Sequence, residues 1–185
     1  MRLILASNSP RRTEILNLAG IKHLVIPSKI EEQIDNNLTP EEVVMELSYQ
    51  KATDVFKNYP NDIVIGADTI VVIDNEILGK PKEYIDAFNM LKKLSNKTHK
   101  VITGVSIISK EKKEKFYETS YVTFNEMTDQ EIDNYIHSEY IYDKAGSYAI
   151  QGSCCKHIKG ITGDYYNIMG LPISAVYQKI KDKIE

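Results

Sequence analysis

Leu3-Ile4-Leu5-Ala6-Ser7-Asn8-Ser9-Pro10-Arg11-Arg12, continued by Thr13-Glu14-Ile15-Leu16-Asn17-Leu18-Ala19-Gly20, is an apolar run of strand length that ends in small polar residues and reopens as an amphipathic helix. Ser9 suits the N-cap, Pro10 the first helical position and Gly20 the stop. Arg11 and Arg12 break the pattern, because cations in a first turn oppose the helix dipole, where carboxylates are favoured by ~0.3–1 kcal/mol. An anion held among the free N–H groups of the helix start accounts for both arginines. Two solvated side chains tolerating a small penalty are the alternative.

Outward from this unit, residues 21–26 predict a second strand ended by Pro27, and residues 30–37 a polar, acidic loop. Thr39-Pro40-Glu41-Glu42 is a capping box that opens a helix reaching about Asn58. The most hydrophobic segment, 62–74, predicts two buried strand pieces joined at Gly66-Ala67-Asp68-Thr69, with a turn back at Asp74-Asn75. A helix marked by Tyr84, Ala87, Phe88, Leu91 and Leu94 follows, then a half-buried strand over 101–108 and its partner over 116–125. Thr128-Asp129-Gln130-Glu131 starts a short helix with Ile132, Tyr135 and Ile136 inward. The tract 143–152 predicts loops around one short strand. Pro172 starts a last helix facing inward with Ile173, Val176, Tyr177 and Ile180. Strands alternate with helices and then meander, which predicts an α/β fold with a mixed sheet.

The 185 residues fit one domain, 1–185, with room for two lobes. A net charge of -3 provides no basic field for nucleic acid or an acidic membrane, so any phosphate site is local. No apolar run reaches the ~18 residues of a membrane span, and the start of the chain is wrongly flanked for a signal peptide. Cys154 and Cys155 are adjacent, poor geometry for a disulfide, and the four histidines are scattered. Reduced thiols and a cytoplasmic protein are expected.

Three further residues stand out. Lys51 falls on the apolar stripe of Val44, Leu47 and Val55, either snorkelling at its edge or aimed into a site. Asp68 lies among apolar residues, where a carboxylate needs a cation, a metal or several donors unless it caps a turn. Lys80 is held between Gly79 and Pro81. With the cationic helix start, these suggest a polyphosphate site with one carboxylate nearby. No Gly-x-x-x-x-Gly-Lys-Ser/Thr stretch is present, which excludes a P-loop.

Ser7-Asn8-Ser9-Pro10-Arg11-Arg12, Gly66-Ala67-Asp68-Thr69, Gly79-Lys80-Pro81, Asp143-Lys144-Ala145-Gly146 and Gly163-Asp164-Tyr165-Tyr166 stand in the order and spacing of the Maf family, which the chain resembles nearly throughout. The resemblance implies nucleoside triphosphate pyrophosphatases linked in bacteria to septum formation. It implies an elongated mixed β-sheet flanked by helices, with a central cleft like that of inosine triphosphate pyrophosphatases. Ser7, Arg11, Arg12, Lys51 and Lys80 would hold the triphosphate, Glu32 would lie near metal and phosphates, and Asp68 would be the general base. Thr69 and Gln151 resemble the branch acting on dTTP and UTP, and Arg11 would also tune base choice. A homodimer is implied as well. Residues 153–157 match only loosely, so nothing is carried over to them.

The implied reaction is hydrolysis of dTTP, UTP or modified pyrimidine nucleotides to the monophosphate and pyrophosphate. A tetraanionic substrate needs its leaving group neutralised by the arginines, the lysines and a divalent cation, Mg²⁺ or Mn²⁺. Asp68 would accept a proton from water, hold the metal with Glu32, or both. The amide of Gln151 can pair with N3–H and O4 of uracil or thymine, or else bond to its own loop. A nucleotide-binding regulator of cell division without turnover is the competing function. A nucleic-acid-binding protein is disfavoured by the net charge.

Overall fold

The computed structural model describes residues 1–35 and 37–184; Asn36, expected in the acidic loop, lies outside them. The elements begin with β1 (Leu3–Leu5), α1 (Pro10–Leu18), β2 (Leu24–Val25), α2 (Pro40–Phe56), β3 (Ile63–Ile73), β4 (Glu76–Leu78) and α3 (Tyr84–Leu94). They continue with β5 (Thr98–Ile108), β6 (Lys113–Phe124), α4 (Asp129–Ser138), β7 (Ile158–Thr162), α5 (Tyr165–Met169) and α6 (Ile173–Ile180). The sheet is mixed, as expected. Its order is β2-β1-β3-β5-β6-β7, with β4 also on β3, and only the pairs of β1 are parallel.

The segment 62–74 is one unbroken strand rather than two pieces. Gly66 makes no turn; it makes room. A Cβ there would lie 2.2 Å from the Ser48 carbonyl oxygen, and one at Gly104 on β5 2.3 Å from the Val44 carbonyl carbon. The two glycines let the backbone of α2 lie directly on β3 and β5. Both capping boxes form as read, on α2 through Thr39 and Glu42 and on α4 through Thr128 and Glu131. Asp74 and Asn75 turn the chain back with φ of 52° and 62°.

Alternation along β3 divides the core. Val64, with Ile4 and Ile108, packs under Ala52 and Val55 of α2. On the opposite face Ile63, Ile65, Ala67 and Val105 meet Ile15, Leu16, Val176 and Ile180 from α1 and α6. Further along that face Val71, Ile73 and Val101 join Leu91 of α3 and the inward Ile132, Tyr135 and Ile136 of α4. Because α2 covers one face and these helices the other, β5 is buried almost throughout rather than half-buried.

Other expectations need correction. The strand over 21–26 shrinks to Leu24–Val25, since it pairs only with the short β1 and stays exposed. The tract 143–152 contains no strand but a 3₁₀ turn, Ala145–Ser147, where Gly146 (φ 67°) and Ser147 (φ 64°) adopt left-handed backbone that no ladder accepts. Tyr177 is exposed rather than inward. Among the described residues no helix is long and apolar enough to cross a membrane.

Candidate active site

One edge of β3 changes partner halfway. Parallel β1 pairs with Ile63–Ile65, antiparallel β4 with Val71–Ile73, and among the described residues the stretch between has no strand on that side. A cleft of about 720 Å³ opens at this gap, just beyond the C-terminal end of β1. Crevices where a sheet switches topology are common ligand sites. Asp68 and Thr69 point to opposite faces of β3, yet both line the cleft because the edge is open there. Ser7, Arg11, Arg12, Glu32, Lys51, Lys80 and Gln151 line it too, so all the candidate residues meet in one place.

The start of α1 is not closed by its own N-cap side chain. Ser9 occupies the N-cap position of α1 but its side chain caps nothing; its N–H donates to Ser7 Oγ at 3.2 Å. Ser7 Oγ also accepts from Arg12 Nη1 at 2.8 Å. Both lone pairs of the Ser7 hydroxyl are thereby used, and its O–H remains free to donate.

The two arginines diverge. Arg12 is buried: Nε donates to the Gly170 carbonyl at 2.7 Å and Nη2 to Thr69 Oγ1 at 3.1 Å. Burial lowers the pKa of its guanidinium, and Asp68 works in the other direction. Three of its five N–H groups are thus spent on the protein, leaving two. Arg11 is less enclosed and pairs with Asp143 at 3.3 Å. Behind Arg12, Thr103 Oγ1 donates to the Asn167 carbonyl at 2.9 Å, so in the 2.9 Å contact between Thr69 and Thr103 the hydroxyl of Thr69 is the donor. Thr69 therefore turns an acceptor lone pair, not a proton, toward its surroundings.

Lys51 does not snorkel. Its ammonium reaches Asp68 Oδ1 at 2.6 Å and Glu32 Oε1 at 2.9 Å. Asp68 belongs to a strand, so the turn-capping alternative falls away. The two carboxylates converge on one point, a donor set that fits a hard divalent cation completed by substrate oxygens. Among the described residues no group of three or more His, Cys, Asp or Glu could hold a metal by itself. Lys80 is exposed at the rim and, among the described residues, has no ion-pair partner. Gln151 bonds not to its own loop but to Glu14, Nε2 donating to Oε1 at 3.4 Å.

Asp143 and Lys144 also line the cleft, and sequence reasoning assigned them no role. Lys144 is largely buried and donates to Asp143 Oδ1 at 2.8 Å. Burial pushes the Asp143 carboxyl up, but Lys144 and then Arg11 outweigh it and hold the group below the usual carboxylate range. The signal was the Asp-Lys-Ala-Gly quartet, whose glycine has the positive φ that turns the chain there. The cysteines are free; burial drives the Cys154 thiol up to about 12, so it is inert.

The family model described as Maf-like protein matches residues 2–183. A protein named dTTP/UTP pyrophosphatase from Bacillus mycoides (strain KBAB4) is 49% identical over 180 residues, 97% of this chain and 94% of its own. One of the same name from Bacillus cereus is 50% identical over the same shares. The solved Ham1 protein of Staphylococcus aureus aligns with 67% of this chain and 72% of its own, at 15% identity and a TM-score of 0.48.

Proposed function

The chain belongs to the Maf family, and from that membership we propose that its cleft hydrolyses dTTP and UTP to the nucleoside monophosphate and pyrophosphate, as the names of its relatives indicate for them. The observation that carries the reading is the meeting of Asp68 and Glu32 with Lys51 in a cleft whose other walls hold Arg11, Arg12, Lys80 and an uncapped helix start.

Water attacks the α-phosphorus, the bond from that phosphorus to the bridging oxygen breaks, and pyrophosphate leaves with the electron pair. Asp68 takes the proton that the attacking water loses. Ser7 O–H, the first N–H groups of α1 and the two remaining N–H groups of Arg12 bind phosphate oxygens, donors fixed in place before substrate arrives. Arg11 and Lys80 add charge from the rim, where arginine grips two oxygens at once and lysine acts as a point charge. A divalent cation held by Asp68 and Glu32 would neutralise phosphate charge and polarise the phosphoryl group.

Gln151 reads the base. Its amide offers one acceptor and one donor, the complement of N3–H and O4 in uracil and thymine, whereas cytosine presents the reverse order. Pyrophosphate release measured across a panel of nucleoside triphosphates with Mg²⁺ tests the proposal. Turnover of dTTP and UTP well above CTP and the purine nucleotides is expected. Binding without any pyrophosphate release would instead support a regulator that does no chemistry.

A further inference from the structure

The amide of Gln151 has a partner that the reaction does not use. Glu14, on the exposed face of α1 and outside the cleft lining, accepts the hydrogen bond from Gln151 Nε2. The backbone beneath Gln151 is anchored separately: Gly152 adopts φ 87°, and Ser153 donates through its N–H and its Oγ to Glu139 Oε1 at 2.9 and 2.8 Å. A Cβ at Gly152 would lie 2.8 Å from that same carboxylate oxygen. The two residues that follow Gln151 are thus held in place, and the orientation of its amide is set by rotation of its side chain.

A carboxylate only accepts hydrogen bonds, while an amide has a donor end and an acceptor end. With Nε2 toward Glu14, an amide N–H donates to the carboxylate. Turned by half a rotation, Oε1 would face the carboxylate with no hydrogen between them, which is repulsive. We infer that Glu14 is a positioning residue for base choice: it locks the Gln151 amide so that Oε1 and the second Nε2 hydrogen face the base. That order suits N3–H and O4 of uracil and thymine, and pairing with cytosine would require a rotation that breaks the hydrogen bond to Glu14. Rejection of the wrong base is thus enforced by an acceptor that never touches it.

This rests on the reading that Gln151 contacts the base, and the test separates the two claims. kcat/KM is measured for UTP and CTP with the wild type, Glu14→Gln and Gln151→Ala. A glutamine at position 14 offers both a donor and an acceptor, so either orientation of Gln151 is satisfied. The UTP-to-CTP preference should then fall by about tenfold, the size of one hydrogen bond, through slower UTP and faster CTP turnover together. A merely structural effect, or a long-range effect of the lost charge, acts on the triphosphate common to both substrates and leaves the ratio where it was. An unchanged ratio in Glu14→Gln beside a reduced one in Gln151→Ala overturns the role of Glu14 while base reading stands. An unchanged ratio in both overturns base reading by Gln151, and the inference with it.

Discussion

Lys51 and Asp68, one on a helix and the other on the strand beneath it, meet at 2.6 Å, and Glu32 closes on the same ammonium at 2.9 Å. The contact follows from Gly66 and Gly104, since only a sheet without those two Cβ atoms lets α2 come close enough. The ion pair is the resting form of the proposed catalytic centre.

Asp68→Asn should lower pyrophosphate release from UTP by roughly 10²–10⁴-fold, the usual contribution of a general base. The amide oxygen of asparagine still accepts from Lys51, so the thermal unfolding midpoint should stay within a few degrees of wild type, about 1 kcal/mol or less. A variant that keeps both its fold and its rate would remove Asp68 from the reaction.

Asp68 and Glu32 are the residues that would hold a divalent cation, and the Lys51 ammonium, in contact with both, would compete with it for them. Lys51→Met removes that competitor. Without nucleotide, Mn²⁺ binding followed by electron paramagnetic resonance should tighten by at least about fivefold, equivalent to ~1 kcal/mol for one like charge nearby. Turnover should nevertheless drop, because the substrate loses a cation. Weaker or equal Mn²⁺ binding would show that the two carboxylates are not the metal pair.

What the sequence disclosed depended on how local the cause was. The capping boxes at Thr39 and Thr128 and the Asp74-Asn75 turn are decided by a few neighbouring residues, and all form as read. Gly66 misled because its reason is a helix some fifteen residues away in sequence: a glycine that admits a backbone looks the same as one that makes a turn. The resemblance brought every candidate residue to one cleft, but not their partners. That Arg12 spends three donors on the protein, and that Gln151 leans on Glu14, are facts of packing with no spacing to announce them.

Gly66→Ala puts a methyl group into the backbone of α2, at 2.2 Å from the Ser48 oxygen and 2.8 Å from the Ala52 nitrogen, neither of which can rotate away. A loss of about 3 kcal/mol or more is expected in urea unfolding. Gly79→Ala is the control from a neighbouring motif: nothing lies within 4 Å of the added carbon and the backbone φ is ordinary, so a change within ~0.5 kcal/mol is expected. Equal stabilities would mean that α2 does not rest on β3 as described.

His99 makes stability depend on pH. It is buried on β5, with Nε2 2.7 Å from Tyr148 Oη and its ring edge-on to Phe124 and Tyr148 at 5.3 and 5.4 Å between centroids. Burial without a counter-charge pulls its pKa down from 6.5 to about 4. Between those two values the unfolded chain binds a proton that the folded chain refuses, so stability falls as pH drops from 6.5 toward 4 and levels off below, where both forms are charged. The contribution is about 3 kcal/mol over that window. His157, also lowered by burial, acts in the same direction, and carboxylates held low, such as Asp62 against Arg2, act at still lower pH. Comparison with His99→Gln cancels these, since a glutamine remains neutral throughout. Urea unfolding at pH 7.5, 5.5 and 4.5 should give the wild type the steeper decline of the two. Parallel declines would mean that His99 accepts its proton inside the fold as readily as outside it, and that the packing of Tyr148 and Phe124 around the ring is looser than their edge-on geometry implies.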